Sequence, residues 1–167
     1  ALKGLDWTTA AVHLVRDGGE QHGPSYRRIN PQALVPSLVA GDHVLTQSLA
    51  IIEYLDETCP EPPLLPADPL GRARVRSLAQ VVACDIHPLN NLRVLQWLKG
   101  HLGADDGQRD QWYRHWIAEG FAAIEAALCA SPDTGRFCHG DRPTVADLCL
   151  VPQVYNAVRY ECDLEPS

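Results

Sequence analysis

Apolar and polar residues alternate in one segment near the start of the chain, which is the pattern of a β-strand. Residues 6–15 (DWTTAAVHLV) alternate and are rich in β-branched side chains, so we expect a strand there. The Gly-rich segment 16–25 is predicted to be a loop, and residues 26–34 (YRRINPQAL) to be irregular. Two more strands are predicted at 36–39 and 43–46, joined by the turn AGD into an antiparallel hairpin.

The spacing of apolar residues becomes helical after this hairpin. Residues 48–59 (SLAIIEYLDETC) repeat leucine and isoleucine at the interval of one helical turn, which predicts a helix. The following segment 60–69 (PEPPLLPADP) is rich in proline and has no periodicity, so it is interpreted as a linker between domains. The predicted domains are residues 1–66 and 67–167.

No further strand is predicted after the linker. Apolar stripes predict helices within 71–100, with a kink at Pro88, and within 109–128 and 141–160. The last of these opens with Thr144 and Asp147 in the pattern of a capping box, to which we give a structural role. The fold class predicted is therefore a small α/β unit followed by an all-α bundle.

Composition and charge argue against several classes of protein. The chain has 167 residues, 46% of them hydrophobic, and a formal charge of −7 from interspersed acids and bases. This charge pattern argues against a nucleic-acid surface and means that an anionic substrate would need local arginines. The six cysteines form no C-x-x-C pair, so they are interpreted as reduced thiols and no metal site is predicted. No apolar run has the length of a membrane helix, which favours a cytoplasmic protein.

Two short segments at the ends of the predicted hairpin are candidates for binding a peptide. Val35-Pro36 precedes the hairpin; a proline there is explained by the start of an edge strand, or alternatively by a cis bond that presents the backbone of Val35 to a peptide. Gln47-Ser48 follows it, where Ser48 is expected to N-cap the helix and where the helix N-terminus can also bind a carboxylate. Together the two segments suggest a site for an extended thiol tripeptide such as glutathione.

Several segments resemble the zeta class of glutathione transferases, whose members include maleylacetoacetate and maleylpyruvate isomerases. The resemblance runs from about Lys3 to the last residue. It is carried by NPQALVPSL, TQSLAIIEYLDE, LLPADP, DIHPLNNLRVL and GDRPTVADLCLVPQVYNAVRYECDL. The resemblance implies a thioredoxin-like N-terminal domain, lacking its first strand and most of its first helix, and a helical substrate-binding domain incomplete at its C-terminus.

The resemblance also implies roles for individual residues. Glutathione would be held by Gln32, Val35, Pro36 in the cis form, Gln47, Ser48, His87 and Asn91. His87 and Asn91 are four residues apart, so a continuous helix would present them on one face. Arg159, and Arg93 as a second candidate, would bind a substrate carboxylate, for which a guanidinium is suited. The serine-rich catalytic loop of the family is expected upstream of Ala1, so no catalytic residue is assigned.

The activity implied by the resemblance is glutathione-dependent cis–trans isomerisation of a maleyl-keto acid in aromatic catabolism, by a homodimer that requires no metal. The sequence leaves open which maleyl-keto acid is the substrate. It also leaves open two other functions: a general transferase that conjugates electrophiles such as haloacids, and a non-catalytic module that mediates association.

Overall fold

The computed structural model describes residues 2–164 of the chain. The chain divides into two compact units, Ala1–Pro63 and Leu64–Ser167. The division lies between Pro63 and Leu64, whereas the predicted domain boundary lies after residue 66. Leu64 and Leu65 are buried, and the Leu64 carbonyl accepts a hydrogen bond from the Val145 N–H at 3.0 Å. These contacts make Leu64 part of the second unit.

The first unit contains the predicted hairpin and the helix that follows it. Its regular elements are helix α1 (Pro24–Ile29), strands β1 (Ser37–Ala40) and β2 (His43–Thr46), and helix α2 (Ser48–Thr58). The two strands are antiparallel and form a two-stranded sheet. The small antiparallel sheet and adjacent helices belong to a thioredoxin-like domain, as predicted.

Two predictions for the first unit are wrong. Residues 6–15 do not form a strand, because no strand of the described residues pairs with them and nearly all their side chains are exposed. Residues 26–34 are not wholly irregular, since α1 covers the first part of that segment. Pro24 starts this helix with a φ already suited to it, and the Tyr26 side chain is buried.

The second unit is helical throughout its regular structure. It consists of α3 (Pro69–Gln80), a π-helical segment (Val81–Ile86), α4 (Leu92–Leu102), α5 (Asp106–Cys129) and α6 (Val145–Arg159). Its core contains fully buried aliphatic side chains from four of these elements: Val75, Ile86, Ile117 and Val145. The all-α prediction for this half of the chain is confirmed.

The helical structure does not merely kink at Pro88 but is interrupted there by a turn. Residues 87–90 form a turn, and Asn91 adopts an extended backbone and caps α4 with its side chain. A proline lacks the N–H that would continue the helix, so the chain begins a new helix after the turn. The predicted capping box of α6 is present, with the Asp147 carboxylate accepting from the Thr144 N–H at 2.7 Å.

Candidate functional site

The open end of the β1–β2 hairpin gathers the predicted peptide-binding residues of the first unit. Ser37, the first residue of β1, pairs with Thr46, the last residue of β2. Pro36 and Gln47 therefore flank the same end of the sheet. This register brings together Val35-Pro36 and Gln47-Ser48, which are separated by ten residues of strand and turn in the sequence.

At this end of the hairpin, the backbone N–H and C=O of Val35 are available for hydrogen bonds. The Val35–Pro36 peptide bond is cis, as the resemblance implies, and the Val35 residue is 42% exposed. Neither the N–H nor the C=O of Val35 has a hydrogen-bond partner among the described residues. Both groups are thus able to pair with an extended peptide, in the manner of an added strand.

Buried polar groups fix the backbone just before Val35. The Leu34 carbonyl accepts hydrogen bonds from the Tyr26 hydroxyl at 2.8 Å and from the Asn30 side-chain amide at 2.7 Å. Asn30 is only 2% exposed. No sequence pattern marks Tyr26 or Asn30, because both bonds depend on how the chain folds back after α1 to bring Leu34 close to these side chains.

The prediction that Ser48 caps α2 is wrong. The N-cap residue is Gln47, at φ 71° and ψ 118°, and no side chain caps the helix. The first intrahelical bond already runs from the Ile51 N–H to the Gln47 carbonyl, so Ser48 is the first helical residue. The N–H groups of the first turn and the exposed Ser48 hydroxyl remain available, and the positive end of the helix dipole favours an anion there.

Gln32 joins this group through its side chain. The Gln47 amide nitrogen donates to the Gln32 amide oxygen at 3.1 Å, and both side chains are exposed. We call Gln32, Val35, Pro36, Gln47 and Ser48 the hairpin cluster. The cluster offers a backbone donor and acceptor, two amides, a hydroxyl and an uncapped helix N-terminus, which suit an extended peptide carrying a carboxylate.

His87 and Asn91 lie in the second unit, at the break between the π-helical segment and α4. They do not share a helix face as predicted, because residues 87–90 form a turn. The Asn91 side-chain oxygen accepts from the Arg93 N–H at 3.1 Å, so part of its hydrogen-bonding capacity caps α4. Partial burial lowers the pKa of His87 below 6.5, which keeps the imidazole neutral at pH 7.

The two predicted carboxylate-binding arginines are both exposed cations of the second unit. Arg93 lies in the first turn of α4 and Arg159 is the last residue of α6. Neither side chain has an acidic partner among residues 2–164. The Arg159 guanidinium lies over the ring of Tyr160, 5.3 Å from its centroid. No sequence pattern marks Tyr160 as a functional residue.

The described residues contain no group of three or more His, Cys, Asp or Glu side chains that could hold a metal ion. All six cysteines are free. Burial raises the pKa of Cys149 to about 11 and that of Cys138 to about 12, so neither thiol is ionised at neutral pH. In residues 2–164, no helix has both the length and the apolar character needed to cross a membrane.

Comparison with known proteins identifies the relatives of this chain. Residues 1–58 match the family described as glutathione S-transferase, N-terminal domain. A probable maleylacetoacetate isomerase of Vibrio cholerae is 50% identical over 163 residues, which cover 98% of this chain and 75% of the relative.

Solved structures lead to the same family. The holo structure of a maleylpyruvate isomerase, a bacterial glutathione transferase of the zeta class, has a TM-score of 0.95 and 50% identity over 99% of this chain and 77% of its own. A maleylacetoacetate isomerase of Methylobacterium extorquens AM1, solved with malonate and glutathione bound, has a TM-score of 0.85 and 45% identity over 88% and 69% of the two chains. The chain therefore belongs to the zeta class of glutathione transferases.

Proposed function

We propose that this protein is a glutathione-dependent cis–trans isomerase of a maleyl-keto acid, either maleylacetoacetate or maleylpyruvate. The observation that carries the proposal is the hairpin cluster, which presents unpaired backbone groups and an uncapped helix N-terminus side by side. Its chemistry matches glutathione, an extended peptide with a thiol in the middle and a carboxylate at its γ-glutamyl end. The family membership of the chain and the glutathione bound in the Methylobacterium relative support the same ligand.

Each member of the hairpin cluster has a proposed task. The N–H and C=O of Val35 pair with the cysteinyl residue of glutathione, next to the cis bond at Pro36. The Ser48 hydroxyl and the N–H groups of the first turn of α2 hold the γ-glutamyl carboxylate. The amides of Gln32 and Gln47, already joined to each other, bind the polar atoms around that carboxylate.

When bound, glutathione supplies a thiolate that adds to the cis double bond beside the ketone and is released after rotation about the resulting single bond. No glutathione is consumed. The residues of this chain would bind and orient the reactants, and holding two groups in a productive geometry is itself a large contribution to rate. None of the described residues is assigned to lower the thiol pKa.

The second unit contributes the groups for the dicarboxylate substrate. Arg159, and Arg93 as a second candidate, bind its carboxylates through their guanidinium groups, which are free of acidic partners among the described residues. His87 and Asn91 are instead proposed to bind glutathione: the neutral imidazole of His87 offers one donor and one acceptor, and Asn91 keeps its amide NH₂ for this ligand. Malonate, bound in the Methylobacterium relative, is itself a small dicarboxylate.

The test is an isomerase assay with maleylacetone and maleylpyruvate in the presence of glutathione. We expect turnover without loss of glutathione, and a drop of about 10- to 100-fold in kcat/KM for Arg159→Ala, because a hydrogen bond to a charged group is worth about 1.5–3 kcal/mol. Arg142→Ala is the matched control, since Arg142 is exposed and has no role in the proposed site. Full activity of Arg159→Ala would show that Arg159 does not bind the substrate.

Product analysis separates this proposal from the alternatives. A conjugating transferase consumes one glutathione for each electrophile, whereas an isomerase consumes none. A non-catalytic association module catalyses neither reaction.

We also infer a homodimer located in the cytoplasm, on the family membership of the chain. Light scattering at two protein concentrations would test the dimer, and a single monomeric mass would contradict it.

A further inference from the structure

Arg159 has a long side chain that needs support if it is to bind a carboxylate in one orientation. It is exposed at the C-terminal end of α6, where no acidic side chain of the described residues fixes it. An arginine side chain carries about 2 kcal/mol of rotamer entropy, which is lost when a ligand immobilises it. A neighbouring group that restricts the guanidinium beforehand would reduce this loss.

The ring of Tyr160 is such a group. The Arg159 guanidinium carbon lies over the Tyr160 ring, 5.3 Å from the centroid, a distance at which a cation is attracted to the π-face. Stacking occupies the flat face of the guanidinium and leaves the N–H groups at its edge free. Those N–H groups are the ones that bind a carboxylate in the bidentate manner.

Tyr160 is in turn held rigidly by two consecutive residues of α5. The rings of Tyr113 and Tyr160 are stacked, with centroids 3.7 Å apart and planes 9° from parallel, and Tyr113 is only 5% exposed. Arg114 donates from its Nε to the Tyr160 carbonyl at 2.6 Å. Because Tyr113 covers one face of the Tyr160 ring, the other face is left for the Arg159 guanidinium.

The charge of Arg159 is not cancelled by this support. Desolvation, followed by the proximity of Tyr160, raises the pKa of Tyr113 to about 12, although the charge of Arg159 acts in the opposite direction. The phenol is therefore neutral at pH 7 and forms no ion pair with the guanidinium. The full positive charge stays available to a substrate carboxylate.

We propose that Tyr160, backed by Tyr113, is a positioning residue that orients the Arg159 guanidinium toward the substrate carboxylate. The proposal rests on the function proposed above. It adds a role for Tyr160 and Tyr113 that involves no contact with the substrate. A purely structural role for the stack would make its loss independent of Arg159, and that difference can be measured.

The experiment is a double-mutant cycle in the glutathione-dependent isomerase assay, using Tyr160→Leu and Arg159→Leu singly and together. We expect Tyr160→Leu to raise KM for the maleyl-keto acid about fivefold with little change in kcat, because a cation–π contact that orients a binding group is worth about 1 kcal/mol. Tyr160→Phe keeps the ring and should retain the wild-type KM. Tyr155→Leu removes an exposed aromatic residue one turn earlier on α6 and should also leave KM unchanged.

The cycle has a decisive outcome. In the Arg159→Leu background, Tyr160→Leu should raise KM no further, and circular dichroism should confirm that each variant is folded. An equal fivefold rise in that background, or an unchanged KM for folded Tyr160→Leu, would overturn the positioning role while leaving the proposed function intact.

Malonate binding, measured by calorimetry with glutathione present, repeats the test without turnover. We expect Tyr160→Leu to weaken it about fivefold and Tyr160→Phe to leave it unchanged. Wild-type protein that neither isomerises a maleyl-keto acid nor binds malonate would overturn both the proposed function and the inference that rests on it.

Discussion

At the scale of the residue, the close approach of the Ile86 side chain requires a glycine at position 120 of α5. A Cβ atom at this position would overlap the Cγ1 and Cδ1 atoms of Ile86, whose side chain is fully buried in the π-helical segment. The isoleucine cannot move aside, because a protein interior is packed as densely as an organic crystal. Glycine is therefore retained in the middle of a 24-residue helix in spite of its low helix propensity.

Gly120→Ala is predicted to lower the free energy of unfolding by about 2 kcal/mol, the usual cost of overpacking a core. Gly100→Ala, the same change inside α4, is the matched control, since a Cβ there meets no atom within 4 Å. The control should be neutral or stabilise by up to about 1 kcal/mol. Urea unfolding of both variants measures the difference; equal stability of the two would contradict the packing argument.

At the scale of the element, the start of α6 depends on the carboxylate of Asp147. One oxygen accepts from the Thr144 N–H at 2.7 Å and from the Thr144 hydroxyl at 2.8 Å, and the other accepts from the Cys138 N–H at 2.9 Å. Burial acts to raise the pKa of Asp147, but the backbone hydrogen bonds from Cys138 and Thr144 outweigh it and lower the pKa below 3.8. The ionised form is thus the one that stabilises the helix start.

Asp147→Asn should destabilise the protein by about 1–2 kcal/mol at pH 7, because the amide NH₂ would face an N–H donor in either orientation. A lowered pKa in the folded state contributes stability that is present above pH 3.8 and is lost as pH falls through the folded-state pKa. The difference between wild type and variant should therefore shrink below about pH 4.

Thermal unfolding measured between pH 3 and pH 7 tests this pH dependence. Asp133→Asn is the control, because Asp133 is exposed and its carboxylate makes no hydrogen bond or ion pair with another described residue. A constant difference between wild type and Asp147→Asn across this range would rule out the ionised carboxylate as the source of stability.

On the scale of the whole molecule, Lys3 connects the first residues of the chain to the end of α2. Its ammonium group pairs with Asp56 at 2.7 Å and donates to the carbonyls of Cys59 at 2.6 Å and Pro62 at 2.8 Å. The side chains of Lys3 and Asp56 are only 6% and 13% exposed. This buried pair joins distant parts of the first unit, whose described residues form one two-stranded sheet.

Lys3→Ala is predicted to destabilise the first unit by about 3 kcal/mol, because it removes a mostly buried ion pair with Asp56 together with the hydrogen bonds to the carbonyls of Cys59 and Pro62. Lys99→Ala is the control: Lys99 pairs with Asp106 at 3.5 Å, but both side chains are mostly exposed, so the loss should be below about 1 kcal/mol. Hydrogen exchange of α2 amides measures the effect. Unchanged protection in Lys3→Ala would contradict it.

Local patterns were sufficient to predict the hairpin, α2, the three later helical stretches and the capping box of α6. Each depends on residues a few positions apart, so its cause lies within a short stretch of sequence. The strand predicted at 6–15 failed because a strand also needs a partner to accept and donate its hydrogen bonds, and no described residue provides one. The cap predicted at Ser48 failed because the turn at Gln47 moved the helix start by one residue.

The sequence by itself determined the fold class, the family resemblance and the identity of the hairpin cluster and of Arg159 as candidate binding residues. Only the tertiary structure decided that Gln32 bonds to Gln47, that α4 starts anew after Pro88, and that Tyr113 supports Tyr160 beneath Arg159. The Gln32–Gln47 bond and the tyrosine stack join residues 15 and 47 positions apart in the chain. Their geometry follows from the packing of whole elements, which no local pattern of side chains specifies.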